Sequence, residues 1–158
     1  MSLKQNHEGD NVLQIYDTRR RDKIEFSTIE SGKVKMYVCG ITPYSPSHLG
    51  HARCYVSFDI VHRWLECKGY DVHYVQNFTD IDDKIINKAT ERGLDFLEVA
   101  NENIENYYYC MDKLNVLKAD VYPRVTEYID NIVEMIDRLL ENGNAYIGTD
   151  GIYFHIES

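Results

Sequence analysis

The chain has 158 residues, 44% hydrophobic and 27% charged, the profile of one soluble globular domain long enough to bury a core. No apolar run reaches the ~20 residues of a membrane helix. The start, Met1-Ser2-Leu3-Lys4, lacks the apolar stretch of an export signal. Seventeen Lys and Arg against 26 Asp and Glu give a net charge of −9, so this segment is a poor electrostatic match for a nucleic-acid backbone.

Residues 1–11 are polar and read as a flexible tail. Val12–Tyr16 and Lys23–Phe26 are short extended candidates, with Arg19-Arg20-Arg21 between them as a solvated turn. After the Ser31-Gly32 turn, Val34–Cys39 predicts a strand that ends at Gly40. Pro43 and Pro46 then forbid a regular helix and fix a rigid loop. Ser47 is the expected N-cap of a helix that Gly69 closes. Cys54, Phe58, Val61 and Leu65 form one apolar stripe of that helix. Val56, Ile60 and Trp64 form the next, so a wide face is expected to pack on a sheet.

Asp71–Asn77 predicts a second strand. Residues 34–77 therefore have the length of one crossover unit with parallel strands. Beyond it, helices are expected to about Arg92-Gly93, over 95–115 and from Val125 to Leu139, with Pro123 as an interruption. Residues 145–156 read as a hairpin around Asp150-Gly151. Tyr107, Tyr108 and Tyr109 read as the core and surface of a helix.

Three constellations could carry chemistry. In His48-Leu49-Gly50-His51, two imidazoles share one side of a helix's first turn, where free amides attract anions. Gly50 leaves room for a flat ring to approach the backbone. Together these suit a nucleoside triphosphate. Cys39 stands at the carboxyl edge of the first parallel strand, where open α/β sheets bind ligands. Asp80, Asp82 and Asp83 could hold Mg²⁺, although Asp82 and Asp83 fit helix capping better. Thr79 faces the same edge as Cys39. The four cysteines, 39, 54, 67 and 110, have no CxxC spacing and are expected to be reduced thiols of a cytoplasmic protein.

Met36–Thr42, His48–Arg53 and Asn77–Ile85 together closely resemble the cysteinyl-tRNA synthetase family. His48-Leu49-Gly50-His51 is similar to the HIGH signature of class I aminoacyl-tRNA synthetases. The resemblance implies an α/β fold: part of a Rossmann-like class I synthetase catalytic domain, a mostly parallel sheet with flanking helices. Residues 12–158 would be its N-terminal portion, with the final hairpin as a candidate start of an insertion. It implies ATP-dependent formation of cysteinyl-adenylate and transfer of cysteine to its tRNA. His48 and His51 would be catalytic; Thr42, His48, Gly50 and His51 would bind ATP, with Mg²⁺. Gly40, Thr42 and Thr79 would line the amino-acid pocket. Cys39 would be one zinc ligand, and the substrate thiolate would bind the same zinc, which a serine hydroxyl does poorly.

The further zinc ligands, the KMSKS loop and the anticodon-binding region of the family are expected downstream, so this segment by itself is expected to be inactive and to bind little zinc. Thr42-Pro43-Tyr44 and Tyr74–Asn77 also resemble the related cysteine ligase of the mycothiol pathway, which shares the adenylate but uses an amino sugar. A truncated paralogue that binds a nucleotide or partner without chemistry is a third reading. The cysteines other than Cys39 are expected to lie away from the crevice.

Overall fold

A computed structural model describes residues 12–156. The expected tail, residues 1–11, lies outside the described residues. In chain order the elements are β1 (Gln14–Asp17), β2 (Asp22–Glu25), β3 (Lys33–Val38), α1 (Leu49–Cys67), β4 (Asp71–Gln76), α2 (Asp83–Arg92) and α3 (Phe96–Lys113). A 3₁₀ turn (Val125–Glu127), α4 (Ile129–Glu141), β5 (Ala145–Ile147) and β6 (Ile152–Phe154) follow.

β3 and β4 pair in parallel, from Lys33 opposite Asp71 to Val38 opposite Gln76. Two parallel strands need a crossover, and α1 supplies it. Alternation sets the faces: Val34 and Val38 are buried, as are Tyr74 and Gln76, while Lys35, Tyr37 and His73 are exposed. β1 and β2 form an antiparallel hairpin whose turn carries the exposed Arg19–Arg21, and β5 and β6 form a second hairpin.

Residues 121–124 add a third parallel line beside β4. Gln76 N donates to Val121 O at 3.1 Å, and Phe78 N donates to Pro123 O at 2.9 Å. Pro123 therefore does not merely interrupt the chain. At the edge of the sheet its missing N–H goes unneeded while its carbonyl still accepts.

α1 and α3 pack on the buried face. Their shared cluster contains Val38, Ile41, Tyr55, Tyr74, Phe78, Ile104, Tyr107 and Met111. Tyr107 meets Tyr55 and Phe78 edge-on, at centroid distances of 5.2 and 5.4 Å, the geometry that aromatic quadrupoles favour. Within the cluster Gln76 is satisfied by two phenols. Tyr74 donates to its Oε1 at 2.9 Å, and its Nε2 reaches the Tyr107 oxygen at 2.6 Å. Burial pushes both phenols well above their usual range, so they remain neutral.

The wide face expected on α1 is narrower. Tyr55, His62 and Leu65 are buried, whereas Phe58, Val61 and Trp64 stay exposed. A sheet three strands wide, already shared with α3, covers only one line of the helix. Near its middle α1 is held by Asp59, which accepts from Leu117 N at 2.8 Å and from Arg63 Nε at 2.7 Å. The excursion through α2 and α3 is closed by Asp80. This fully buried carboxylate accepts from Thr126 N at 3.0 Å and from Thr126 Oγ1 at 2.6 Å.

Tyr107→Phe should keep the ring packing but leave the Gln76 amide short of a partner. The expected cost is ~1–3 kcal/mol, read as a lower urea midpoint at unchanged slope.

Candidate active site

The carboxyl edge of the parallel strands gathers most of the candidate residues. Cys39 follows the last residue of β3 and is exposed. Its backbone carbonyl accepts from the buried Tyr55 hydroxyl at 3.2 Å, so α1 fixes where this residue sits. Gly40 comes next, and a Cβ there would lie 1.4 Å from the carbonyl oxygen of Asn77. The chain after β3 touches the chain after β4 so closely that no side chain fits between them. Thr79 N donates to Ile41 O at 3.0 Å, which continues the pairing past the strand ends. Gly40, Ile41 and Thr79 are thus brought together at this edge. Thr42 lies in the rigid loop beyond, where its carbonyl accepts from Tyr44 N at 2.9 Å.

The first turn of α1 differs from expectation. The N-cap is His48, not Ser47. His48 Nδ1 accepts from Gly50 N at 3.1 Å, and His51 Nδ1 accepts from His48 N at 3.3 Å. The pair is a reciprocal capping box built from imidazoles in place of Ser and Glu. The rings stack with centroids 3.8 Å apart and planes 14° from parallel. Gly50 is required because a Cβ there would come within 2.8 Å of the His48 ring. The cap's own ring therefore lies against this glycine. Ser47 is fixed instead through its backbone N–H, which donates to Asn106 Oδ1 at 2.9 Å.

This arrangement sets the chemistry of both histidines. An Nδ1 that accepts a backbone N–H carries no proton, so in each neutral ring the proton sits on Nε2. Among the described residues neither Nε2 has a protein partner. Two N–H donors are thus available side by side at a helix N-terminus. Burial, and then the neighbouring His48, hold the His51 pKa below the ordinary 6.5, so this ring acts as a neutral donor. The amides of His48 and Gly50 are already used by the imidazoles.

The acidic stretch divides cleanly. Asp82 caps α2, accepting from Lys84 N at 2.8 Å, and Asp83 lies in its first turn. Asp80 points into the core toward Thr126 rather than outward, so three carboxylates do not converge on a Mg²⁺ site. Among the described residues no group of three or more His, Cys, Asp and Glu side chains is placed to hold a metal ion. The exposed Cys39 thiol is at most one zinc ligand, and one ligand does not make a site. Cys54 is half-buried against the core cluster, and burial, then the Cys39 thiol, raise its pKa.

Sequence reasoning gave no role to Tyr55 or to the side chain of Asn77. Tyr55 was hidden because apolar periodicity drew attention to Cys54 and Val56 on either side. For Asn77 the available signal was its place one residue beyond a parallel strand, where side chains face the ligand edge.

Residues 25–158 match the model of the tRNA synthetases class I (C) catalytic domain. The chain belongs to this family. It is 52% identical over 146 residues to the cysteine–tRNA ligases of Pyrococcus furiosus and Pyrococcus horikoshii, and 50% identical over 146 residues to that of a Nostoc species. Each match covers 92% of this chain, but only 31%, 31% and 30% of the relatives. The chain therefore spans about a third of their length and corresponds to the N-terminal region of the family's catalytic domain. Among solved structures, methionyl-tRNA synthetase of Mycobacterium tuberculosis in complex with methionyl-adenylate shares the fold. The TM-score is 0.64 at 23% identity, over 72% of this chain and 23% of that one. This likeness supports the partial class I catalytic-domain fold. No helix among the described residues is long and apolar enough to cross a membrane.

Holding His51 neutral in the fold has a stability consequence. Below pH 6.5 the unfolded chain binds a proton there that the fold resists, so stability should rise with pH through that range. Nitrogen-15 spectra of labelled histidine should show the neutral form of each ring as the Nε2–H tautomer, with His51 titrating below the free imidazole.

Proposed function

We propose that this chain is the part of a cysteine–tRNA ligase that activates cysteine with ATP, making cysteinyl-adenylate, before cysteine is passed to its tRNA. The observation that carries this reading is the stacked His48–His51 pair, with two Nε2–H donors free at the N-terminus of the crossover helix. In adenylation the amino-acid carboxylate attacks the α-phosphorus of ATP and pyrophosphate leaves. Negative charge builds on the α-phosphate oxygens in between. Fixed donors aimed at that charge lower the barrier because they need no reorganisation. The His51 ring, held neutral, donates without giving up a proton, and the capping bonds hold both rings in place beforehand.

Gly40, Thr42 and Thr79 would form the amino-acid side of the crevice, beside Cys39. Cys39 would supply one thiolate to a zinc ion when the family's further ligands complete the site, and zinc would select a thiolate over the serine hydroxyl. Mg²⁺ would arrive with ATP. The 50–52% identity to cysteine–tRNA ligases supports tRNA as the acceptor over an amino sugar, and active chemistry over a silent paralogue. Contacts with tRNA are assigned mainly to regions beyond this segment, in keeping with its charge of −9. A cytoplasmic site of action follows from the same reading.

Replacing His48 or His51 with Ala in the complete gene product should slow cysteine-dependent ATP–pyrophosphate exchange about a hundredfold or more, equivalent to ~3 kcal/mol. Unchanged exchange in both variants would reject the role. Metal analysis tests Cys39: Cys39→Ser should lose zinc in the complete product, and the 158-residue segment should bind little. Full zinc in the variant would make Cys39 an ordinary strand-end residue.

A further inference from the structure

The side chain of Asn77 joins the ends of β3 and β4. Its Oδ1 accepts from Gly40 N at 2.8 Å and from the Tyr37 hydroxyl at 2.9 Å. A backbone amide can only donate, so the end of the Asn77 amide that faces Gly40 must be the oxygen. Its Nδ2 is then directed to Thr79 Oγ1, 3.3 Å away, and can only donate there. A hydroxyl oxygen that accepts keeps its own proton to give elsewhere. The backbone of Thr79 is pinned separately, through its N–H to Ile41 O at 3.0 Å. Thr79 is half-buried and belongs, with Asn77 and Tyr37, to the sheet face that α1 and α3 leave uncovered.

We infer that Asn77 is a positioning residue which sets the Thr79 hydroxyl as a hydrogen-bond donor, so that the strand-end pocket takes an amino acid through an anionic acceptor, its carboxylate or its thiolate. The inference rests on the proposed adenylate-forming function and deepens it. Polarity is the point. Without the Asn77 Nδ2 the Thr79 hydroxyl is free to accept instead, and the pocket loses its preference for an anion. Asn77 itself need not touch substrate, because all three of its polar contacts are with protein.

The test uses cysteine-dependent ATP–pyrophosphate exchange in the complete gene product. Asn77→Asp keeps an acceptor for Gly40 and Tyr37 but turns the Thr79 proton inward. The KM for cysteine should rise tenfold or more, the loss expected for a hydrogen bond to a charged group, while the KM for ATP stays within twofold. Thr79→Val should show the same rise, and Thr79→Ser, which restores the hydroxyl, should reverse most of it. If Asn77→Asp does not fold, this Val and Ser pair decides whether Thr79 donates. The double variant Asn77→Asp/Thr79→Val should be no worse than the more damaged single, because both changes remove one donor. Additive losses, or an unchanged KM for cysteine in Asn77→Asp, would overturn the inference and leave the proposed function standing. Absence of exchange in the wild type would overturn both. Inhibition by alanine and by cysteamine in the same variants identifies the acceptor. Weakened alanine binding assigns the carboxylate, weakened cysteamine binding assigns the thiolate, and no change in either sinks the idea.

Discussion

The parallel pairing of β3 with β4 imposes most of what else the structure does. Parallel neighbours must run their carboxyl ends to the same edge, and the chain must cross back over one face to make the second strand. The crossover is α1, so its N-terminus and the two strand ends are assembled by a single topological act. Cys39 and Gly40 leave β3, Asn77 and Thr79 leave β4, and His48 and His51 open the helix between them. The pairing continues past the strands through Gly40 against Asn77, and there the glycine is obligatory. Any Cβ would occupy the space of a backbone oxygen.

The edge stays in place because the layer beneath it is unusually aromatic. Tyr55, Tyr74, Phe78 and Tyr107 are all buried in the shared cluster, and Gln76 turns two of their hydroxyls into partners for one amide. Such a network is stable when complete and costly when one member is removed. Tyr55 belongs to both worlds. Its ring packs on Tyr107 while its hydroxyl holds the Cys39 carbonyl, so core packing is transmitted to the exposed thiol through one hydrogen bond.

Much of this order was legible in the sequence because it follows from short-range rules. Alternation marked Val34–Cys39 and Asp71–Asn77, the prolines marked the rigid loop, and Gly69 marked the end of α1, where its φ of +88° is observed. The residues that the sequence hid depend on contacts distant along the chain. Residues 121–124 become strand-like only beside β4, so Pro123 looked like a break. Ser47 looked like the cap because hydroxyls usually are, whereas here a histidine caps, with a glycine two residues on and a second histidine three residues on completing the box. Asp80 looked like a metal ligand until Thr126, far along the chain, came to meet it. The apolar residues left exposed on α1, Phe58, Ile60, Val61 and Trp64 among them, show the same limit. Periodicity reveals an apolar face, but the width of the neighbouring sheet decides how much of it is covered.

The closure of α2 and α3 by Asp80 and Thr126 separates two regions with different freedom to change. Between Cys39 and Thr79 every length is constrained, since the crossover must return β4 to a fixed register beside β3. Between Asp80 and Thr126 the chain leaves the sheet and forms a small core of Ile85, Ala89, Val99 and Ala100, then packs the rest of α3 beneath the sheet, pairs residues 121–124 with β4 and meets the Asp80 carboxylate. Because the entropic cost of a longer loop grows only with the logarithm of its length, residues added at the Gly93-Leu94 corner of this excursion would leave the strand-end geometry untouched. The fold thus has a built-in place for insertion, on the far side of a buried clasp from the chemistry.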